Sequence, residues 1–489
     1  MWSLFVICFG TILIYFYAKR RKFLKKFKFI PSPPSLPLIG HLHLLMKIDV
    51  LLKIIENYKG KCLLWIGIKP YIIVYNAEDM EVILRNSKED IPKGNTYEYV
   101  RPWLGDSILI SHGPKFQENK KILVRTFHKI NLLEFIPVFN ANAKDIVDKF
   151  KKHADLGEFR ADKYLAVGTM FNLLAATLGI HKGLLSEEDA LNYCESVEKL
   201  GAYIFERHVK FWLSNDFIFQ FTKLKKKQDH HLNILNTISD RVLKKKKIEY
   251  EKRIQSGIVS DENSVVFLDN FFSATKSNGE NYSSKEIKDE VMTMMFAGQE
   301  TSTVTLGFTL SLLGIYQDVQ EKVYAELMEI FGESDRDVTY EDTKNLKYLE
   351  QVIQESWRLY PPINAFSRSP IRDIKLGDYI LPKGSTIVCA LYLLHRNENY
   401  FPNGNKFDPG NFHPERVKAR PGYSFIPFSQ GYRKCIGSKY AMLVAKVFLA
   451  TILRKFKVTC HQKQEDFKLK LQLTSHKIGG FKMSVENRF

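Results

Sequence analysis

Residues 428–437 read FSQGYRKCIG and form the most informative stretch of this 489-residue chain. Gly431 and Gly437 let the backbone approach a flat group closely, because glycine carries no side chain. Backbone N–H groups of such a loop donate hydrogen bonds to a thiolate, and Phe428 keeps water away from the sulfur. Arg433 supplies a positive charge for a carboxylate. A helix that begins directly after the loop points its positive end at Cys435, so we expect the pKa of this thiol to be lowered.

The number and spacing of the cysteines limit which metal or cofactor this loop could bind. The chain has six cysteines, and no two of them form a CxxC or CxC pair. So few cysteines in so long a chain exclude a disulfide scaffold and a cysteine-rich zinc site. One cysteine cannot hold zinc, whereas one axial thiolate is sufficient for haem iron. Cys435 is therefore compatible with axial ligation of a haem iron, the role that the family resemblance described next implies for it, and we predict that the other cysteines are buried free thiols.

The loop matches a complete FxxGxRxCxG pattern, and it resembles the signature of the cytochrome P-450 family, the haem-thiolate monooxygenases. The resemblance covers essentially the whole chain and is greatest to the microsomal, membrane-anchored type. It implies a mainly α-helical fold with smaller β-sheets (α+β), the cytochrome P-450 fold. It also implies that Phe428 and Arg433 contact the haem beside Cys435.

A second motif, Ala297-Gly298-Gln299-Glu300-Thr301, is similar to the oxygen-activation motif of the family. The resemblance implies that Gly298 thins a long helix where it crosses the haem. It also implies that Glu300 and Thr301 are the catalytic residues, which organise protons and water for cleavage of the O–O bond. The simpler alternative for Thr301 is a hydrogen bond from its hydroxyl to the carbonyl four residues earlier.

A third motif, Glu355-Ser-Trp-Arg358, matches the ExxR pattern of the family. Residues at i and i+3 share one face of a helix, so a surface ion pair worth about 0–1 kcal/mol is the alternative interpretation. The resemblance implies instead that Glu355 and Arg358 join Arg416 in a buried structural network near the haem.

The residues expected to bind the haem propionates depart from the family pattern. The usual WxxxR is replaced by Phe116 and Lys120, and Lys120 keeps the positive charge without the planar fork of arginine. The resemblance implies that propionate binding depends on Arg433 and Arg368, with a contribution from Lys120.

The segment from Glu290 to Ser302 is similar to the helix signature of the fatty-acid ω-hydroxylase branch and its insect relatives. Members of that branch often carry a glutamate that bonds covalently to haem, and here the position is Ala297. The resemblance therefore implies non-covalent haem b and does not imply strictly terminal hydroxylation. By family position, the predicted substrate-pocket residues are Phe205, Ala297, Thr305, Ile363, Phe366 and Leu473.

The N-terminal segment predicts a membrane anchor. Residues 1–17 carry no charged side chain, and as a helix they span about 26 Å of the roughly 30 Å bilayer core. The sequence KRRKFLKKFK follows, so the positive charge comes after the apolar stretch, unlike in a cleaved signal peptide, which is the alternative. We predict a single-pass anchor at 1–18, a basic segment with a proline-rich hinge at 19–40, and a monooxygenase domain at 41–489.

Elsewhere the patterns are mainly helical. Strand-like runs at 61–68 and 71–75 predict a hairpin. Helical periodicity extends over about 115–335, apart from a polar stretch at 256–284 that predicts a long loop, and one last helix is predicted near 438–456. Aromatic residues and lysine runs at 195–253 indicate amphipathic surface helices, with a lid that leans on the membrane as the alternative.

Charge and composition indicate the partners. Lys and Arg number 72 and Asp and Glu number 54, so the formal net charge is +18. No flavin or NADPH motif is present, so the resemblance implies electrons from NADPH through the separate NADPH-cytochrome P-450 reductase, with cytochrome b5 as an optional second donor. We predict insertion of one oxygen atom of O2 into a small hydrophobic substrate (lipid-like, hydrocarbon or xenobiotic), at the endoplasmic reticulum membrane with the catalytic domain in the cytoplasm.

Three alternatives stay open at this point. One is a haem-thiolate isomerase or dehydratase of the same fold that needs no reductase. Another is a non-catalytic haem-binding sensor. A nucleic-acid binder is suggested only by the positive charge, and the predicted membrane anchor argues against a nucleic-acid partner.

Overall fold

The structure is a computed structural model that describes residues 30–45, 48–67, 69–88, 90–180, 183–257, 266–470 and 472–488, together with isolated positions before residue 30. Helices dominate the chain. The α-helices are α1 Leu42–Leu45, α2 Ile48–Glu56, α3 Ala77–Arg85, α4 Arg101–Leu104, α5 Gly113–Thr126, α6 Lys129–Lys151, α7 Asp162–Leu178, α8 Glu187–Val209, α9 Asp216–Gln220, α10 Lys223–Gln255, α11 Phe267–Ser273, α12 Ser284–Ile315, α13 Gln317–Phe331, α14 Tyr340–Asn345, α15 Lys347–Leu359, α16 Leu391–Leu394, α17 Pro414–Ala419 and α18 Ser438–Lys455. Short 3₁₀ helices cover Asn95–Val100, Phe211–Ser214, Pro409–Phe412, Gly431–Arg433 and Gln464–Asp466.

The strands form four small sheets. They are β1 Lys61–Ile66, β2 Lys69–Val74, β3 Phe159–Arg160, β4 Ala365–Arg368, β5 Ile374–Leu376, β6 Tyr379–Leu381, β7 Thr386–Ala390, β8 Phe456–Thr459, β9 Leu469–Lys470, β10 His476–Lys477 and β11 Lys482–Asn487. The largest sheet has the order β1-β2-β7-β4, in which β2 and β7 run parallel with Ile72 opposite Ile387. The others are β3-β11-β8 and the hairpins β5-β6 and β9-β10.

Helix α12, with 32 residues, runs through the helical core. Its first turn is a capping box, in which the Ser283 hydroxyl accepts from the Glu286 N–H and the Glu286 carboxylate accepts from the Ser283 N–H. This cap satisfies N–H groups that otherwise lack partners in the first turn. Most of the side chains of α12 are buried, against α7, α15 and α18 among other elements. The helix is therefore a rigid support for the motif at 297–301.

The described residues form two hydrophobic cores. One is formed by the helices around α12 and α18, and the other lies between the large sheet and helices α2 and α3. The predicted hairpin is confirmed, with Trp65 opposite Pro70 across β1 and β2. The last predicted helix is confirmed as α18.

The prediction of a loop over 256–284 is wrong in its centre, where α11 forms. Residues 258–265 lie outside the described residues. Helix α11 forms because Phe267 and Phe271 lie one helical turn apart and are both buried. Phe271 also packs edge-on against Tyr282, with 5.1 Å between the ring centroids. Burial of these aromatic side chains outweighs the polar composition around them.

Apart from isolated positions, the predicted anchor at 1–18 and the basic residues up to 29 lie outside the described residues. Among the helices that the structure does describe, none combines the length and the apolar composition needed to cross a bilayer.

Candidate active site

The loop at 428–437 holds Cys435 in a tight turn. The Cys435 N–H donates to the Phe428 carbonyl at 2.9 Å, and residues 431–433 form a 3₁₀ turn between them. Gly431 has a φ of +73°, and a Cβ atom there would lie 2.4 Å from the Leu84 carbonyl oxygen, so only glycine fits. At Gly437 a Cβ would lie 3.9 Å from the Cys435 sulfur. The loop geometry thus brings backbone close to the thiol.

Cys435 differs from the other described cysteines in exposure. Its side chain is exposed, whereas Cys62, Cys194, Cys389 and Cys460 are all buried. Within the described part of the chain, no group of three or more His, Cys, Asp or Glu residues could hold a metal ion. A single accessible sulfur is the donor that an axial haem ligand requires, because the porphyrin supplies the equatorial nitrogens.

The expected lowering of the Cys435 pKa is wrong for the free thiol. Although the Cys435 side chain is accessible, the protein around it desolvates the sulfur and raises the pKa of Cys435, and the Gly437 N–H, Lys434 and Lys93 offset this only partly. The prediction considered the helix end and the loop donors but not the loss of water around the sulfur. A bound cation would deprotonate the thiol directly.

Phe428 connects the cysteine loop to the helical core. Its ring packs edge-on against Trp357 of α15 at 4.8 Å, and the Trp357 indole N–H donates to the Thr305 hydroxyl at 2.9 Å. Thr305 is buried and uses its hydroxyl in this contact, and its place in the substrate pocket stays a prediction. The chain of contacts positions the cysteine loop one helical turn beyond Thr301 along α12.

The middle of α12 opens onto accessible space on one face only. Ala297 is exposed although the six residues before it are buried, and the Thr301 hydroxyl donates to the Ala297 carbonyl at 2.7 Å on this exposed face. The simpler alternative for Thr301, a hydrogen bond from its hydroxyl to the carbonyl four residues earlier, is therefore present in the structure. This bond uses the hydroxyl proton but leaves the oxygen lone pairs free to accept from the open side.

Gly298 and Glu300 lie on other faces of α12. A Cβ atom at Gly298 would come within 2.5 Å of Leu173 Cδ1, so this glycine permits close packing against α7. Packing against Leu173 therefore accounts for this glycine by itself, and its contact with haem stays a prediction. Glu300 is buried, and its carboxylate accepts from the Thr474 hydroxyl at 3.1 Å and contacts the His476 imidazole.

Four basic side chains gather at the other side of the cysteine loop: Lys93, Lys120, Arg368 and Arg433. Within the described residues, none of them is within ion-pair distance of a carboxylate. Arg433 donates to the Ile108 and Ser111 carbonyls, and Arg368 donates to the Ser367 carbonyl at 2.8 Å. The Nε atoms of both arginines are buried without a hydrogen-bond partner.

The electrostatics of this cluster are those of an anion site. Burial, with a contribution from Arg368, lowers the pKa of Arg433 to about 10. Burial and the two arginines lower the pKa of Lys93 well below its ordinary value. The positive charges of this cluster repel one another, so a bound dianion would stabilise the cluster. The unpartnered arginine nitrogens and the missing counter-charges fit the two propionates of haem.

The altered WxxxR pair has a clear structural role. The Arg433 guanidinium stacks on the buried Phe116 ring, 3.5 Å from its centroid. Lys120 donates to the Tyr432 carbonyl at 2.8 Å. Phe116 thus orients Arg433, and Lys120 holds the cysteine loop. Lys93 was not singled out from the sequence, because nothing in its local pattern indicates that it folds against this cluster.

Glu355 and Arg358 form the buried pair expected from the ExxR motif. Both side chains are fully buried, and the guanidinium donates to the carboxylate through Nε and Nη2 at 2.7 Å each. Arg358 also donates to the carbonyls of His395, Gly404 and Lys406. The pair therefore fixes the irregular segment that leads to the cysteine loop.

Arg416 does not join this network, so the prediction for it is wrong. Its side chain is 60% exposed and contacts Asp408 at 3.1 Å. The Asp408 N–H donates to Glu355 at 2.8 Å, so Arg416 touches only the rim of the pair. The spacing of the motif could not show this, because α17 lies on the surface with no buried residue.

The other predicted pocket residues are spread over three elements. Phe205 on α8 and Ile363 are half-buried, and Phe366 on β4 stacks beneath the Arg368 guanidinium at 4.6 Å. Leu473 lies against α8, where a Cβ at Gly201 would be 3.8 Å from its own Cβ. Phe366 thus adjoins the basic cluster, whereas Leu473 adjoins the segment that carries Thr474.

Comparisons with known proteins agree with this geometry. The family model described as Cytochrome P450 matches residues 30–484. "Cytochrome P450 4g1" of Drosophila melanogaster is 35% identical over 94% of this chain and 89% of its own length. "Cytochrome P450 4V2" of Homo sapiens is 35% identical over 92% of this chain and 88% of its own. "Cytochrome P450 4c21" of Blattella germanica is 31% identical over 99% and 98%.

A solved structure shows the same fold at lower identity. The "Crystal structure of cytochrome P450DA heme domain" superposes with a TM-score of 0.79 and 22% sequence identity, over 94% of this chain and 98% of that one. This similarity concerns the fold, since the identity is low.

Proposed function

Because the chain belongs to the cytochrome P450 family, we propose that it hydroxylates a hydrophobic, chain-like substrate with electrons that a separate reductase delivers from NADPH. The family makes it an oxidoreductase with haem b, cysteine-ligated iron and O2 as co-substrate. The observation that supports the assignment of residues is the accessible Cys435 sulfur next to a basic cluster without counter-charges.

Each residue has a distinct proposed task. Haem, when bound, supplies the activation of O2, with reactivity tuned by the axial thiolate. Cys435 would ligate the iron, and Phe428 packed on Trp357 excludes water from the sulfur. The four cations Lys93, Lys120, Arg368 and Arg433 would hold the propionates and thereby orient the cofactor.

Thr301 and Glu300 are proposed to manage protons on the substrate side. The Thr301 oxygen accepts a hydrogen bond from a water molecule on the open face, since its own proton is committed to Ala297. Glu300 holds a titratable carboxylate directly behind that face, away from bulk solvent. Such positioned proton transfer typically contributes about 10²–10⁴-fold to a rate.

Thr301→Ala is expected to uncouple the enzyme. With reductase and NADPH, electrons still flow, but more of them end as hydrogen peroxide or water, because the water at the open face loses its anchor. Ser302→Ala is the matched control, since Ser302 makes the same bond to the Gly298 carbonyl at 2.6 Å but is buried on another face. An unchanged ratio of product to NADPH in the Thr301 variant would contradict the proposal.

Ala297 is expected to leave the haem free of any covalent link. A methyl group on the exposed face of α12 cannot form an ester with a haem methyl, so acidified organic extraction of the wild-type protein should release all haem. The variant Ala297→Glu should retain part of it after turnover. Haem that stays with the denatured wild-type chain would mean that another residue supplies a link.

The electron partner is proposed from surface charge. Lys434 and Lys439 are exposed beside Cys435, and the chain carries a formal charge of +18. Such a surface suits an acidic flavoprotein such as NADPH-cytochrome P-450 reductase, with cytochrome b5 as a second donor. NADPH consumption that depends on reductase and on substrate separates this function from an isomerase or a sensor.

We further propose that residues 1–18 anchor the protein in the endoplasmic reticulum membrane, with 41–489 as the cytoplasmic catalytic domain. Support comes from the apolar stretch with basic residues after it, and from Phe217 and Phe221, whose side chains are 70% and 72% exposed near α9. Deletion of residues 1–28 should release most of the protein from microsomes while haem binding persists. A truncated protein that binds no haem would show that the anchor is part of the folded body.

A further inference from the structure

The buried carboxylate of Glu300 has an imidazole as its immediate partner. The Thr474 hydroxyl, 174 residues further along the chain than Glu300, lies 3.1 Å from the Glu300 carboxylate. His476 on β10 contacts Glu300 Oε1 through its Nε2, and this nitrogen also lies 3.1 Å from the Thr474 hydroxyl. Both neighbours of Nε2 are oxygens, and the Thr474 hydroxyl donates its proton to Glu300. Nε2 must therefore carry a hydrogen.

The other ring nitrogen of His476 faces outward. Nδ1 lies 4.0 Å from Glu198 Oε1 on α8, and Lys470 on β9 donates to the same carboxylate at 2.7 Å. Glu198 is 33% exposed and Lys470 is 44% exposed. Glu198, His476 and Glu300 thus follow one another from the surface toward Thr301, with a gap of 4.0 Å between Glu198 Oε1 and His476 Nδ1.

The charges around this path favour a protonated imidazole. Burial disfavours the charged form of the His476 imidazole. The carboxylates of Glu300 and then Glu198 outweigh burial and raise the pKa of His476, and the positive charge of Lys470 opposes them. Burial also opposes ionisation of Glu198, yet the Lys470 hydrogen bond and His476 lower the pKa of Glu198. These groups come from α8, α12 and the β9-β10 hairpin, which are the elements that face His476.

We propose that His476 is a positioning residue that orients Glu300 and re-supplies it with protons from solvent. This inference rests on the proposed role of Glu300 and Thr301 in proton management. It identifies the entry point of the protons, which the motif at 297–301 does not contain.

The transfer is balanced in protons. The Nε2 proton of the imidazolium passes to Glu300 Oε1 after that carboxylate has given up its own proton, and the ring becomes neutral with its proton on Nδ1. Rotation of the ring, whose side chain is 17% exposed, then turns its bare nitrogen toward solvent, where this nitrogen takes up a proton, and the Glu198 carboxylate stabilises the restored cation. The net result is one proton moved from solvent to Glu300.

The first test measures the imidazole directly and does not require turnover. In protein labelled with carbon-13 histidine, the ring resonance that His476→Gln removes should titrate with a raised pKa. Glu198→Gln should move that titration to lower pH, because it removes a stabilising carboxylate. His461→Gln is the control, since His461 is an exposed histidine that contacts Ser484 and not this path. A resonance that titrates identically in wild type and Glu198→Gln would overturn the inference.

The second test measures coupling of NADPH to product across pH. In the wild type, coupling should fall as pH rises through the pKa of His476, and Glu198→Gln should shift that fall to lower pH. His476→Gln keeps a hydrogen-bond donor to Glu300 but cannot titrate, so coupling should be about ten-fold lower and lose this pH dependence. A variant with unchanged haem absorption and an unchanged pH profile would overturn the relay.

The two tests separate a wrong role for His476 from a wrong proton function of the motif at 297–301. If Thr301→Ala uncouples the enzyme but His476→Gln does not alter the pH profile, only the relay is wrong. If Thr301→Ala has no effect on coupling, the proposed proton function of the motif is itself wrong.

Discussion

Replacement of Cys435 by Ser is expected to remove the reduced-CO absorption that is characteristic of thiolate ligation and to abolish monooxygenase turnover. An alkoxide or a water molecule cannot reproduce the electron donation of a thiolate to iron. The structure makes the expected loss specific, because Cys435 is the only exposed cysteine among those described. Difference spectra of the reduced CO complex and product formation with reductase measure the two effects.

Cys460→Ser is the matched control for this change. Cys460 is buried, and its sulfur lies 3.9 Å from the Gln462 carbonyl, which can accept from a serine hydroxyl. Both the spectrum and turnover should survive in this variant. A Cys435→Ser protein that kept its thiolate spectrum would assign the iron to another cysteine and refute the site proposed above.

Arg358→Ala is expected to cause the largest loss of stability. It leaves the Glu355 carboxylate buried without its cation and removes the donors to three backbone carbonyls. Breaking such a buried pair costs about 3–5 kcal/mol, which is a large share of the roughly 5–15 kcal/mol that a folded domain has. Urea unfolding followed by tryptophan fluorescence should show this loss, and the yield of haem-containing protein should fall with it.

Arg416→Ala tests the same charge in an exposed setting. The Arg416–Asp408 pair lies at the surface, so its loss should cost about 0–1 kcal/mol. Equal destabilisation by the two changes would mean that Arg416 belongs to the buried network after all.

Sequence patterns predicted those parts of the fold that depend on neighbours along the chain. The β1-β2 hairpin, the helix α18 directly after the cysteine loop and the pairing of Glu355 with Arg358 all involve residues close in sequence. Local periodicity and spacing are sufficient for such contacts. Helix α11 was missed because its two aromatic side chains stand in an otherwise polar segment.

Sequence motifs do not fix the direction in which a side chain points. Gly298 faces α7 and Thr305 faces Trp357, although both lie in a helix that was predicted to pass over the haem. A motif gives the helix but not which of its faces meets which neighbour, because that depends on packing between distant elements. The contact of Glu300 with His476 is of the same kind and has no signal in either local sequence.

Lys120 and Tyr432 are 312 positions apart in the chain, and their hydrogen bond closes one side of the basic cluster. At about 5–20 residues per second, a ribosome needs roughly 15–60 s to add the intervening chain. During that interval Lys93, Lys120 and Phe116 have already been synthesised, but neither Arg433 nor the sulfur that would hold the iron yet exists. The cofactor can therefore be captured only late in the synthesis of the chain. The nascent chain must be kept from aggregating until its last tenth emerges from the ribosome.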